Sequence, residues 1–157
     1  MGRKLLMIAT CIHRETLEIP EQHRGPLASK NHVYDVTVGK RYHVLAMGIW
    51  ETMFMLLIRD DLGRRSGLPA ALFDIDGQPV PEEWYFGLRD GIRLSMPQAL
   101  THWVAVWGYH EFVEDPRHIS ELMDLKPEAI EIFRREYRKA VEDFPLSDDD
   151  AGEGSQV

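Results

Sequence analysis

The sequence predicts an α+β fold, a small curled antiparallel β-sheet or barrel followed by C-terminal helices. Three observations predict it. Two apolar, β-tolerant runs, Arg41 to Ile49 and Thr52 to Arg59, are separated only by Trp50-Glu51, which is hairpin spacing. Turn-forming clusters follow at short intervals, at Asp60 to Arg64 and at Asp76-Gly77, as suits short antiparallel strands. From Pro127 onward Ile130, Phe133, Tyr137, Ala140, Val141 and Phe144 recur at steps of three and four, the period of one helix face.

With 157 residues the chain suits one domain. We expect that domain over residues 1–145, β-rich over 1–109 and helical over 110–145, with 146–157 a disordered acidic tail. Leu5 to Ala9 reads as a first strand and not as a signal peptide, because its apolar run is short and His13-Arg14-Glu15 follow. Residues 12–32 mix three histidines and two prolines without a period and read as a long loop. In the strand that follows, Tyr42, Val44 and Ala46 share one face while His43, Leu45 and Met47 share the other. Both faces are largely apolar, so the strand is expected to be covered on both sides.

Leu68 to Phe73 reads as a Pro-initiated turn that plugs apolar side chains into one end of a barrel. Residues 81–100, with the dense aromatic patch Trp84-Tyr85-Phe86 and the interruptions Gly87 and Gly91, read as irregular. Thr101 to Tyr109 reads as a strand, with Val104, Val106 and Gly108 facing one way and Trp103, Ala105 and Trp107 the other. Asp115-Pro116 opens a short helix to Asp124 that buries Ile119 and Leu122 or Met123. Pro127 suits the first position of the last helix, and Glu131 stands four before Arg135, a supportive spacing.

Hydrophobic residues at 44% and charged residues at 28% exclude disorder of the whole chain. The single cysteine, Cys11, permits no internal disulfide and fits a reducing, cytoplasmic setting. The longest apolar run, Met53 to Ile58, is strand length, so no membrane contact is expected. The formal charge is −8, and the tail holds Asp148, Asp149, Asp150 and Glu153 without a cation. The one basic cluster, Arg134, Arg135, Arg138 and Lys139, alternates with acids and reads as a solvated helix face. Nucleic acid is therefore not an expected partner. Phosphate-cradling, nucleophile-elbow and dinucleotide motifs are missing from the sequence.

Cys11, His13, His23, His32 and His43 are residue types that ligate zinc or pair as nucleophile and base. Their spacing matches no zinc pattern, so no metal, cofactor or catalytic residue is expected. A small-molecule-binding or enzymatic module using segment 11–43 is the alternative, and it requires Cys11, His13 and His32 to converge. Asp60-Asp61 and Asp74 with Asp76 read as turn residues; Gly77 stands fourth from Asp74 where a calcium loop needs glycine sixth. His110-Glu111-Phe112-Val113-Glu114 ends in Glu where a zinc-protease helix requires His. The aromatic patch is the feature best suited to recognition, because Trp and Tyr dominate binding hot spots. The expected partner-binding residues are Trp84 and Tyr85, with Glu82 and Glu83 beside them.

Several segments in order resemble a known group: Val38-Gly39-Lys40-Arg41-Tyr42-His43-Val44, Ile58-Arg59-Asp60-Asp61, Pro69-Ala70-Ala71-Leu72-Phe73-Asp74 and Trp84-Tyr85-Phe86. Further along come Trp107-Gly108-Tyr109-His110-Glu111-Phe112-Val113 and Glu128-Ala129-Ile130-Glu131-Ile132-Phe133. Together, over about residues 33 to 138, they resemble an uncharacterised family of small bacterial proteins. Its members have an SH3-like barrel followed by C-terminal helices, and some resemble immunity proteins of toxin systems. The chain departs from that pattern at Arg65-Ser66-Gly67-Leu68, where relatives carry an aromatic before Pro-Ala. The resemblance implies a non-catalytic protein-interaction domain that neutralises a toxin, and the acidic charge would favour a basic one.

Overall fold

The computed structural model describes residues 6–24, 30–89 and 103–146. The expected tail beyond 146, and the part of segment 81–100 from residue 90 onward, lie outside the described residues. The strands are β1 (Met7–Cys11), β2 (Arg41–Val44), β3 (Ala46–Trp50), β4 (Met53–Arg59), β5 (Arg65–Pro69), β6 (Phe73–Asp74), β7 (Tyr85–Leu88) and β8 (Trp103–Gly108). The helices are α1 (His110–Glu114), α2 (His118–Met123) and α3 (Pro127–Asp143). The α+β class and the helices following the strands are as predicted. The barrel is not shown: among the described residues the strands form two antiparallel sheets, β2-β1-β6 and β5-β4-β3-β8-β7, that are not closed into one.

The single strand predicted over Arg41 to Ile49 is divided at Leu45, whose N–H donates to the Leu57 carbonyl. That one residue carries the chain from the first sheet into the second, so β2 and β3 are covered on both sides, as their two apolar faces demand. β4 lies between two cores and alternates between them. Leu56 and Ile58 enter the core formed with Ala9, Cys11, Tyr42, Leu72 and Phe73. Leu57 points the other way, toward Val106, Phe112, Leu122 and Phe133 beneath the helices. The Pro69-initiated turn, a 3-10 turn over Ala70–Leu72, buries Leu72 completely in the first core.

The hairpin turn falls one residue later than predicted, between the paired residues Trp50 and Met53. The turn at Asp60 closes as read from the sequence: Asp60 accepts from the N–H groups of Leu62 and Arg64, and Gly63 takes φ +78°. β8 does not keep the alternation its sequence suggests. Its register against β3 shifts between Ile49 and Trp50, a bulge that turns Trp103 toward the helices while Trp107 packs on the first core.

The periodic stripe of α3 is its packed side, with Phe133 and Ala140 buried. The expected Glu131–Arg135 pair gives way to other partners: Arg135 reaches Glu111 of α1, and Glu131 pairs with Arg138 two turns along the same helix. Segment 81–88 is more regular than expected. Tyr85 to Leu88 pair with β8 in the register Tyr85↔Gly108 to Leu88↔Ala105, so a neighbouring strand supplies the order that local composition does not advertise.

Candidate functional site: an aromatic cleft beside an edge strand

The turn ahead of β7, the start of α1 and the second half of α3 enclose a cleft of about 460 Å³. Pro81, Glu83, Trp84 and Tyr85 form one wall, Tyr109, His110 and Glu111 the back, and Arg135, Glu136 and Lys139 the far side. Trp84 is held by its N–H to the Pro81 carbonyl and packs half-buried on the first core. Tyr85 meets the His110 ring edge-on, with centroids 5.0 Å apart. Of the four expected partner-binding residues, Trp84, Tyr85 and Glu83 therefore line one cleft, and Glu82 is exposed on the same turn.

β7 is also the edge of its sheet among the described residues, with β8 as its one ladder partner. It carries Tyr85, Phe86 and Leu88 at 45%, 53% and 67% exposure. Phe86 lies tilted against Trp107, with ring centroids 4.9 Å apart. The strand is anchored from behind, because Arg89 donates to the carbonyls of Phe112 and Val113 near the C-terminal end of α1. The sequence reading included Phe86 in the aromatic patch but missed Leu88, since a segment read as irregular has no faces.

Four charges of the cleft, Glu111, Arg135, Glu136 and Lys139, form one paired network. Arg135 holds Glu111 and Glu136, and Lys139 adds to Glu136 at 3.1 Å. Burial pushes the Glu111 carboxyl up most strongly, but the hydrogen bond from Arg135, a backbone hydrogen bond and the positive charge of Arg135 together outweigh it and leave the pKa below the usual value. The same hydrogen bond raises Arg135. Beneath them the Tyr109 hydroxyl and His118 Nε2 share a buried 2.6 Å hydrogen bond. Burial pushes the tyrosine pKa up and the histidine pKa down, so both rings are neutral near pH 7.

The Cys/His segment is dispersed. The Cys11 thiol is buried, donates to the His13 carbonyl and has its pKa pushed up to about 11 by burial, the opposite of an activated thiol. His13 faces Glu18, His32 packs edge-on to Tyr34, and His23 is exposed on its own 3-10 turn. His43 is buried against α3. None of these rings hydrogen-bonds to the thiol, and no three His, Cys, Asp or Glu side chains among the described residues are grouped to hold a metal ion. No helix among the described residues is long and apolar enough to cross a membrane. Comparison with protein-family models, curated proteins and solved structures finds no match to this chain.

Proposed function

We propose that this protein is a non-catalytic interaction domain that binds another protein through β7 and the turn before it. The observation that carries this reading is the run of exposed large apolar side chains, Tyr85, Phe86 and Leu88, on an edge strand. Exposed apolar edges invite pairing and are normally blunted by charge or proline. β7 carries neither. The adjoining cleft adds a pocket walled by Trp84 for an anchoring side chain, with a charged rim that sets orientation.

Toxin neutralisation is the narrower form of this reading that the family resemblance implies. Its support is the resemblance itself together with the net charge of −8, which would speed encounter with a basic toxin. The test is capture of a stoichiometric partner by the wild-type chain and by a Phe86→Glu, Leu88→Lys double variant. Loss of the partner with an unchanged Tm is expected; equal capture by both chains refutes the reading. Rescue of cells from a toxin encoded beside this chain tests the narrower form.

A further inference from the structure

On another side of α3, five arginines line a groove of about 660 Å³: Arg59 at the end of β4, Arg64 and Arg65 at the next turn, and Arg134 and Arg138 on the helix. Its apolar lining is Ile130, Phe133, Tyr137 and Leu125. The chain has 26 acidic side chains against 18 basic ones, yet no acid lines this groove. Three of the arginines have work within the fold. Arg64 pairs with Asp35 and Asp60, Arg138 pairs with Glu131, and Arg65 donates to the Leu122 and Met123 carbonyls at the end of α2. Arg59 stacks over the Tyr137 ring at 5.0 Å, and Arg134 is exposed; neither has a carboxylate partner among the described residues.

Leu125 is the second observation. The N–H groups of Leu125 and Lys126 reach back to the Leu122 and Glu121 carbonyls, a Schellman cap whose left-handed position favours glycine. Here leucine occupies it, at φ +61° and with 59% of its surface exposed. It bears backbone strain and leaves an apolar side chain in water, neither of which helps folding.

We infer that this groove binds an acidic peptide segment of a protein partner, one in which carboxylates flank an apolar side chain. The carboxylates would take Arg59 and Arg134, whose planar guanidinium groups match them in bidentate fashion. The apolar residue would lie on Leu125, Ile130 and Tyr137. This surface shares no residue with the β7 cleft, so the inference stands apart from the proposed function.

The test is selection of a random twelve-residue peptide library on the immobilised full chain, followed by titration of the enriched peptides. Enriched peptides should combine Asp or Glu with a neighbouring large apolar residue and weaken as salt is raised. Arg134→Glu should weaken them by about tenfold or more at unchanged Tm. Leu125→Gly should raise Tm and yet weaken binding, a combination that a purely structural leucine would not produce. Absence of enrichment, neutral or basic consensus sequences, or acidic binders indifferent to Arg134→Glu would overturn the inference. Unchanged binding by Leu125→Gly would overturn its apolar half.

Discussion

His43 Nε2 donates a 2.6 Å hydrogen bond to the Phe144 carbonyl, so a buried imidazole of β2 ties down the residue that ends α3. The acceptor can only accept, so Nε2 carries the proton. Burial lowers the pKa of this ring, as it does that of His118. As pH falls below the usual histidine value of about 6.5, the unfolded chain takes up protons that the folded chain resists. Stability is therefore complete above that pH and declines below it toward the lowered folded value, by at most about 1.4 kcal/mol per pH unit for each ring. Thermal unfolding between pH 7.5 and 5 should show a falling Tm. The fall should be shallower in His43→Gln; an identical slope would remove His43 from the account.

Asp61 accepts from Thr37 Oγ1 at 2.6 Å, Lys40 Nζ at 2.7 Å and the Tyr42 hydroxyl at 2.7 Å, joining the approach to β2 to the turn after β4. Burial raises its pKa, but the hydrogen bonds from Lys40, Thr37 and Tyr42 outweigh burial and hold the carboxyl below the usual value. This contribution is present above about pH 4 and is lost as pH falls toward the lowered value. Asp61→Ala leaves three donors without their acceptor and should cost roughly 2 kcal/mol or more in urea unfolding. Asp61→Asn, which keeps the shape but not the charge, should cost less.

The β3–β4 turn carries a correctable strain. Glu51 sits at φ +57° without being glycine, a conformation that costs an L-residue about 1 kcal/mol or more. Glu51→Gly removes that cost, while the larger entropy of the unfolded glycine chain returns part of it. A net gain of about 0.5 kcal/mol, seen as a rise in Tm, is expected. Thr52→Gly, at a position with no positive φ to relieve, should lower Tm.

What was legible in the sequence was what repeats locally. α3 announced itself through a stripe three and four residues apart behind Pro127, and the β3–β4 hairpin through two apolar runs of strand length. The bend at Leu45 was hidden because both faces of that run are apolar, so alternation carries no mark where the faces exchange sheets. β7 was hidden because Tyr85-Phe86-Gly87-Leu88 has no alternating polarity and is ordered by its pairing with β8. The arginine groove was hidden most deeply. Read along the helix, Arg134 and Arg138 alternate with acids as a solvated face does; only packing of α3 beside the β4–β5 turn sets them against Arg59, Arg64 and Arg65. Trp84 and Tyr85 could be singled out because aromatic density is visible in one stretch of chain, whereas their cleft depends on residues 109–111 and 135–139.

The bulged contact between β3 and β8 gives the last prediction. A Cβ added at Gly48 would stand 2.7 Å from two ring carbons of Trp103 and 3.0 Å from the Ala105 carbonyl oxygen. On the helix side the half-buried ring meets Phe112 edge-on, with centroids 6.2 Å apart, which limits its retreat in that direction. Gly48→Ala should therefore cost about 1–3 kcal/mol as overpacking and alter the near-ultraviolet circular dichroism of the tryptophans. In a Trp103→Leu background the ring contacts are removed and only the 3.0 Å approach to the Ala105 carbonyl oxygen is left, so the same substitution should cost less, and the two losses should not add. Additive losses would mean that Gly48 is required for its backbone and not for the ring lying on it.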